Sequence, residues 1–138
     1  MPHTCISRLN RAAAVIVAAL ALLIAAGTHS RSVLADDAYP KVNPLSGKPD
    51  AIKAGRDLYW KFCVQCHGKH ADGVSTRWGG YAKDLRKWRY GYPEFIVVVL
   101  NGRPKKRMPP WGGYLEEEEI AEIAAFLETL AIEGARWQ

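Results

Sequence analysis

The sequence predicts an all-α domain of three or four short helices, and three observations carry that prediction. Apolar residues recur at three- and four-residue steps in two stretches, about 51–65 and about 116–131. The segments between them are rich in glycine and proline, which stop helices and turn chains. The one continuous β-branched run, Phe95-Ile96-Val97-Val98-Val99-Leu100, is followed by no second strand of matching character with which to pair. With 138 residues, 49% of them hydrophobic, and five tryptophans, the chain is one modest domain with enough apolar surface for a core, which excludes both disorder and a multi-domain enzyme.

Residues 1–11 carry Arg8 and Arg11 and no acid, and Ala12 to Ala26 then run without a charge. That order is the order of a secretory signal, and the apolar run is shorter than the roughly 20 residues needed to span a bilayer. Val33-Leu34-Ala35 offers small or modest residues where a signal peptidase reads, so residues 1–35 are expected to be cleaved after Ala35. The alternative is an uncleaved anchor. Cys5 precedes the apolar run and is expected to be discarded with it.

Loss of residues 1–35 removes three arginines, leaving 16 basic against 14 acidic residues, so most of the whole-chain charge of +5 belongs to the targeting segment. What remains is uneven: residues 41–107 hold 15 basic and 5 acidic residues, while 108–138 hold 1 and 7. The cluster Arg103-Pro104-Lys105-Lys106-Arg107 would suit a nucleic acid by charge alone, but export removes the chain from nucleic acid.

Each element follows in order. Residues 36–49, with prolines at 40, 44 and 49, read as an extended arm. Asp50 is the expected N-cap of a first helix over about 51–65, on which Ile52, Gly55, Tyr59, Phe62 and Cys66 share one face. Ala71 to Gly80 reads as a loop and Tyr81 to Trp88 as a short helix. Pro93 to Asn101 is expected to be helical despite its β-branched run, because proline starts it, Glu94 sits in its first turn and glycine follows it. Prolines at 104, 109 and 110 make the next stretch irregular. Four glutamates, Glu116 to Glu119, then load the first turn of the last helix, where the helix dipole favours negative charge, and Ile120, Ile123, Ala124, Leu127 and Leu130 form its buried stripe. About 100 residues in short helices with long connections bury little by themselves, so a covalent staple is expected.

Cys63-Val64-Gln65-Cys66-His67 supplies one. C-x-x-C-H is a c-type haem attachment signature: two thiols three apart add to both vinyl groups of one haem, and the adjacent histidine ligates the iron. Zinc is the first rival, but Cys63, Cys66, His67 and His70 crowd four ligands into eight residues, where zinc motifs separate the second pair by a dozen or more. A thioredoxin-like C-x-x-C wants a strand before it and a helix starting at the first cysteine, and here a helix precedes it. A structural disulfide in so short a loop is strained and leaves the histidine unexplained.

The sixth iron ligand follows by elimination once residues 1–35 are gone. His70 is then the only other histidine, and it is too near His67 in sequence to reach the opposite face of the ring. Met108 is the only methionine, 41 residues beyond His67 in a loop stiffened by prolines; its alternative role is generic core filling. A His/Met pair raises the reduction potential relative to two histidines and leaves no open coordination position, which points to electron transfer rather than catalysis.

With these residues in hand, the chain resembles class I (monohaem) cytochromes c. The resemblance runs over about residues 50–131: Gly55-x-x-x-Tyr59 leading into Cys63-x-x-Cys66-His67-Gly68, then Asp84-Leu85, Asn101-Gly102-Arg103, Met108-Pro109-Pro110-Trp111 and the closing Ile120-x-x-Ile123-x-x-Phe126-Leu127-x-x-Leu130 helix. It implies three to four helices around one covalently attached haem c within a domain spanning 50–138, with Gly55 and Tyr59 meeting Phe126 where the first and last helices cross. It also implies an exposed haem edge beside Arg103, Lys105, Lys106 and Arg107, placed to steer an acidic partner.

A finer likeness runs through Asn43-Pro44-Leu45-Ser46-Gly47-Lys48-Pro49-Asp50-Ala51-Ile52 and the aromatic-rich middle. These are similar to periplasmic cytochromes that accept electrons from pyrroloquinoline quinone (PQQ) alcohol dehydrogenases, although the acidic character usual there is missing. The expected function is therefore a soluble periplasmic one-electron carrier, not an enzyme. A PQQ alcohol dehydrogenase would be its donor and a terminal oxidase or another cytochrome its acceptor, with membranes met only through partners. A permanently bound haem subunit of a respiratory or dehydrogenase complex is the alternative. A peroxidase or gas-binding protein is a further one, which lacks a histidine for the distal acid/base. Trp60, Trp78, Tyr81, Trp88, Tyr90, Tyr92, Trp111 and Tyr114 are expected to pack the core and haem pocket, with donation to the haem propionates the alternative role for one or two of them. Arg77, Arg86 and Arg89 are either propionate donors or solvated.

Overall fold

A computed structural model of the chain describes residues 38–74 and 82–137, all of which fall within one compact unit. Residues 1–37, with the expected signal and its cleavage site, and residues 75–81, with Arg77, Trp78 and Tyr81, lie outside the described residues. The described residues form helices α1 (Pro49–Phe62), α2 (Val64–His67), α3 (Gly91–Asn101) and α4 (Glu117–Glu128), with 3-10 turns at Leu85–Lys87 and Pro104–Lys106. No strand occurs among them, and pairing is confined to isolated bridges between Arg103 and Met108 and between Gly112 and Leu115. The all-α expectation holds.

The architecture centres on the crossing of α1 and α4. A glycine inside a helix costs about 1 kcal/mol relative to alanine, and Gly55 is kept because a Cβ there would stand 1.8 Å from the Glu122 carbonyl oxygen. One turn on, the Tyr59 ring meets Phe126 at 5.5 Å between centroids, as the family resemblance implies. Tyr59, Ile120, Ile123 and Leu127 are fully buried, and Phe95, Ile96 and Val99 of α3 close the same core.

The start of α1 differs from expectation. Lys48, not Asp50, is its N-cap, and no side chain caps it. Pro49 occupies the first turn, where its fixed φ is already helical and its missing N–H is not needed, so the helix begins earlier. The expected 51–65 helix also breaks at Cys63, and α2 restarts at Val64. Cys66 consequently leaves the shared face: it is exposed, while Ile52 and Phe62 are half-buried.

The run 91–101 is helical, not a strand. Its β-branched residues are overridden because Tyr92, Phe95, Ile96 and Val99 fall on one buried side, and Gly102 at φ +65° ends it. Over the described residues 82–88 the structure holds only the Leu85–Lys87 turn in place of the expected helix, started by the Asp84 carboxylate accepting from Arg86 N at 3.1 Å. The last helix starts at Glu117 because Glu116 and Glu119 form a capping box, in which Glu116 N donates to Glu119 Oε2 at 2.9 Å. It stops at Glu128, short of 131, because Thr129, Leu130 and Ala131 donate three residues back and tighten the chain out of the α-helix.

Two flanking segments are tied down more firmly than an arm and a tail suggest. Asn43 is buried, donates from Nδ2 to the Ala121 carbonyl at 2.9 Å and accepts from Leu45 N at 2.9 Å, which pins residues 43–48 to α4. After α4 the chain returns along residues 86–91: Ile132 N donates to Arg86 O, Arg136 N to Trp88 O, and Gly91 N to Arg136 O. That return buries Trp137 against Trp88 and Phe95. The aromatics divide accordingly. Trp88 and Tyr92 are core and Trp111 is half-buried, but Trp60, Tyr90 and Tyr114 are exposed.

Candidate functional site

The junction of α1 and α2 presents the C-x-x-C-H residues. Cys63 is the helix break, so its Sγ sits against the core while Cys66, one turn on, faces outward. Burial, with the neighbouring Cys66 adding to it, pushes the Cys63 thiol up to about 12, so it rests protonated.

His67 is fixed from three directions. Its Nδ1 lies 3.0 Å from the Lys83 carbonyl, and because a carbonyl only accepts, Nδ1 carries the proton and Nε2 keeps its lone pair. Its own carbonyl accepts from Gly73 N at 3.0 Å. The next carbonyl, that of Gly68, accepts from the buried Tyr59 hydroxyl at 2.6 Å. Burial lowers the imidazole's affinity for protons, only partly offset by the Lys83 bond, so the ring is held neutral, as metal ligation requires.

Met108 arrives from a different part of the chain. Arg103 N donates to Met108 O at 2.8 Å and Met108 N returns the bond at 3.2 Å, closing a short loop around the Pro104–Lys106 turn. The loop is anchored on both sides. Trp111 N bonds Val99 O and Gly112 N bonds Leu100 O, joining it to α3, while the Phe62 and Trp111 rings meet edge-on at 5.4 Å, joining it to the cysteine segment. Gly102 is required here, since its φ is +65° and a Cβ would stand 2.5 Å from Pro109 C and Pro110 N. Arg103 is engaged with Glu94 of α3 at 3.5 Å, and Lys105, Lys106 and Arg107 of this loop are exposed.

These donors fit a covalently bound haem: two thiols three apart, a neutral imidazole with Nε2 available, and a thioether on a separate rigid loop. Half-buried Val64, Val98, Leu100, Met108 and Trp111, packed on the core, give apolar surroundings suited to a porphyrin. No group of three or more His, Cys, Asp or Glu side chains suited to a metal ion occurs among the described residues, which weighs against the zinc reading of Cys63, Cys66, His67 and His70. Arg86 is held by both oxygens of Asp84 at 3.0 Å, a structural use for a residue that sequence offered as a propionate donor. Tyr59 was legible as a packing residue; its bond to Gly68, and the Lys83 carbonyl that holds His67, were not.

Comparison with known proteins extends the picture. The family model for cytochrome c oxidase, cbb3-type, subunit III matches residues 50–127. The quinohemoprotein alcohol dehydrogenase ADH-IIG of Pseudomonas putida is 36% identical over 107 residues, 72% of this chain but only 14% of that protein's length. Cytochrome c55X of Pseudomonas aeruginosa is 35% identical over 66% of this chain and 76% of its own. Among solved structures, cytochrome cL of the marine methylotroph Methylophaga aminisulfidivorans superposes with a TM-score of 0.54 at 27% identity, over 65% of this chain and 59% of that one. Together with the C-x-x-C-H junction and the α1/α4 crossing, these matches settle the family: the chain belongs to the cytochromes c, in the group of the cbb3-type oxidase subunit III domain, whose cofactor is covalent haem c.

Proposed function

We propose that this cytochrome is a periplasmic one-electron carrier that takes electrons from a PQQ alcohol dehydrogenase and passes them toward a terminal oxidase. In this reading Cys63 and Cys66 would hold the haem through thioethers, and His67 Nε2 and Met108 Sδ would ligate its iron. A haem held by these four residues would supply one-electron exchange at a raised potential. The observation that carries the reading is the Nδ1 bond of His67 to Lys83 O, which orients a neutral imidazole with Nε2 available. The chain's own residues do the rest: Lys83 and Gly73 hold the imidazole, and the Arg103–Met108 bridge and Phe62–Trp111 contact hold the thioether loop. Residues 1–35 serve as the export signal, so the purified protein begins at Asp36.

The donor assignment rests on the likeness to a quinohemoprotein alcohol dehydrogenase and to cytochrome cL. Lys105 and Lys106, beside Met108, would steer an acidic partner over the roughly 8 Å Debye length near 0.15 M salt. Stopped-flow reduction by a PQQ alcohol dehydrogenase with its alcohol tests this. The rate falls as salt rises and falls again on charge reversal at both lysines, with the reduction potential little changed; a rate indifferent to salt and to both reversals removes the docking role of the lysines, and no reduction at all removes that donor. Because the match covers only 14% of the dehydrogenase, a haem domain held permanently in a larger complex is the second reading. Size exclusion of a native periplasmic extract separates the two.

A further inference from the structure

A cavity of about 320 Å³ lies between the N-terminal arm, α3 and the start of α4. Ligand sites begin at about 300 Å³, so there is room for one small organic molecule. Leu45 of the arm, Ile96 of α3 and Ala121 of α4 give it an apolar wall, and none of its lining residues belongs to 63–67 or 102–111, so it is separate from the site described above. It is also preformed. Asn43 Nδ2 bonds the Ala121 carbonyl at 2.9 Å and the Tyr39 hydroxyl donates to Glu117 Oε1 at 3.0 Å, which fixes the arm against α4 at two points.

The polar group that points to a ligand is the Tyr92 hydroxyl. Tyr92 is 2% exposed and lines the cavity, yet its hydroxyl donates to no described residue. The one fully enclosed side-chain polar atom without a partner among the described residues is Trp137 Nε1, so the Tyr92 hydroxyl is open to the cavity instead. Burial, and then the charges of Glu117 and Glu128 and the neighbouring Tyr39, push it up to about 12, so it stays protonated. Buried phenol hydroxyls ordinarily find a partner, and here the space for one lies outside the polypeptide.

The surrounding charge selects that partner. Glu117 and Glu118 line the cavity and no lysine, arginine or histidine does. Negative charge is crowded there: burial, and then Glu118 and Glu119, hold the Glu122 carboxyl above its usual range. The N-terminus of α4, which would attract an anion, is already served by the Glu116–Glu119 capping box. An anion is therefore repelled, whereas a cation meets two carboxylates and the rings of Tyr39 and Tyr92.

We propose that this cavity binds a small organic ammonium ion, its apolar body on Leu45, Ile96 and Ala121 and its charged head on the Tyr92 hydroxyl and the Glu117 and Glu118 carboxylates. The site stands independently of the electron-carrier reading.

Three probes that share a ring and differ in charge test it: benzylammonium, benzyl alcohol and benzoate, each titrated into the ferrous holoprotein and followed by amide shifts of residues 43–46, 92–96 and 117–121. Benzylammonium should saturate one site, benzyl alcohol should bind about tenfold more weakly, and benzoate should not bind. Tyr92→Phe keeps the ring and removes the hydroxyl, so benzylammonium affinity should fall about tenfold, as for one hydrogen bond to a charged group. Glu118→Gln, on the exposed first turn of α4, should weaken it as well without altering the haem spectrum. A benzylammonium titration that never saturates, or equal binding of all three probes, overturns the proposal. So does unchanged affinity in both variants, which would leave the Tyr92 hydroxyl bonded to water alone.

Discussion

Two regions of this molecule are built by different means. The α1/α4 crossing is a packing joint: Gly55 lies on the Glu122 backbone, Tyr59 on Phe126, and Ile120, Ile123 and Leu127 fill the interior. The ligand segments are irregular and are placed mainly by main-chain hydrogen bonds, from Lys83 and Gly73 at His67 and from Arg103 at Met108. The difference implies a division of labour, in which the crossing sets whether the chain folds and the loops set where the two proposed iron ligands stand. A side-chain hydrogen bond joins the regions, from Tyr59 within the joint to Gly68 beside His67.

The largest effect should come from breaking the joint. Gly55→Ala places a methyl 1.8 Å from a carbonyl oxygen of α4, so the helices must separate. Overpacking of this kind costs about 3 kcal/mol, read as a lowered denaturant midpoint of the holoprotein. The second test breaks the other region. Gly102→Ala puts a side chain at φ +65° and 2.5 Å from the Pro109–Pro110 backbone, immediately beyond the Met108 bridge. It should cost about 2 kcal/mol of backbone strain while weakening the methionine-to-iron band out of proportion to that loss. If Gly102→Ala lowers stability as Gly55→Ala does and leaves the band intact, the division of labour is wrong.

Tyr59→Phe addresses the link itself. The ring contact with Phe126 remains and the bond to Gly68 goes, so stability should fall by about 1 kcal/mol and the haem spectrum should respond to the altered His67 segment. The smallest effect concerns Asp84. Its bond to Arg86 holds the carboxyl below the usual range, despite some opposing desolvation. A depressed carboxylate pKa contributes stability that is present above its unfolded value and lost as pH falls through the folded one. Acid titration of wild type should therefore show a stability loss in the acidic range that is diminished in Asp84→Asn.

This contrast also explains what could be read from the sequence. The stripe of α4, Gly55-x-x-x-Tyr59, the C-x-x-C-H run and the lone Met108 carry side-chain signatures, so periodicity and motif spacing find them. Lys83 acts through its carbonyl and Gly73 through its N–H, and no side-chain pattern reports a backbone group. Asn43, bonded to Ala121 O, and Trp137, set on Trp88, sit in segments without periodicity whose partners lie far off in sequence. Asp50 misled because acidic N-caps are common, whereas the proline beside it set the helix start.

The central claim is that Met108, on its bridged loop, is the iron ligand opposite His67. Near-infrared absorption of the oxidised holoprotein, in wild type and Met108→Ala, tests it most directly. The weak sulfur-to-iron band should be present in wild type and lost in the variant, while the haem stays covalently attached through acid acetone and the reduction potential falls. A wild-type spectrum without the band, or a variant that keeps it, would contradict the account.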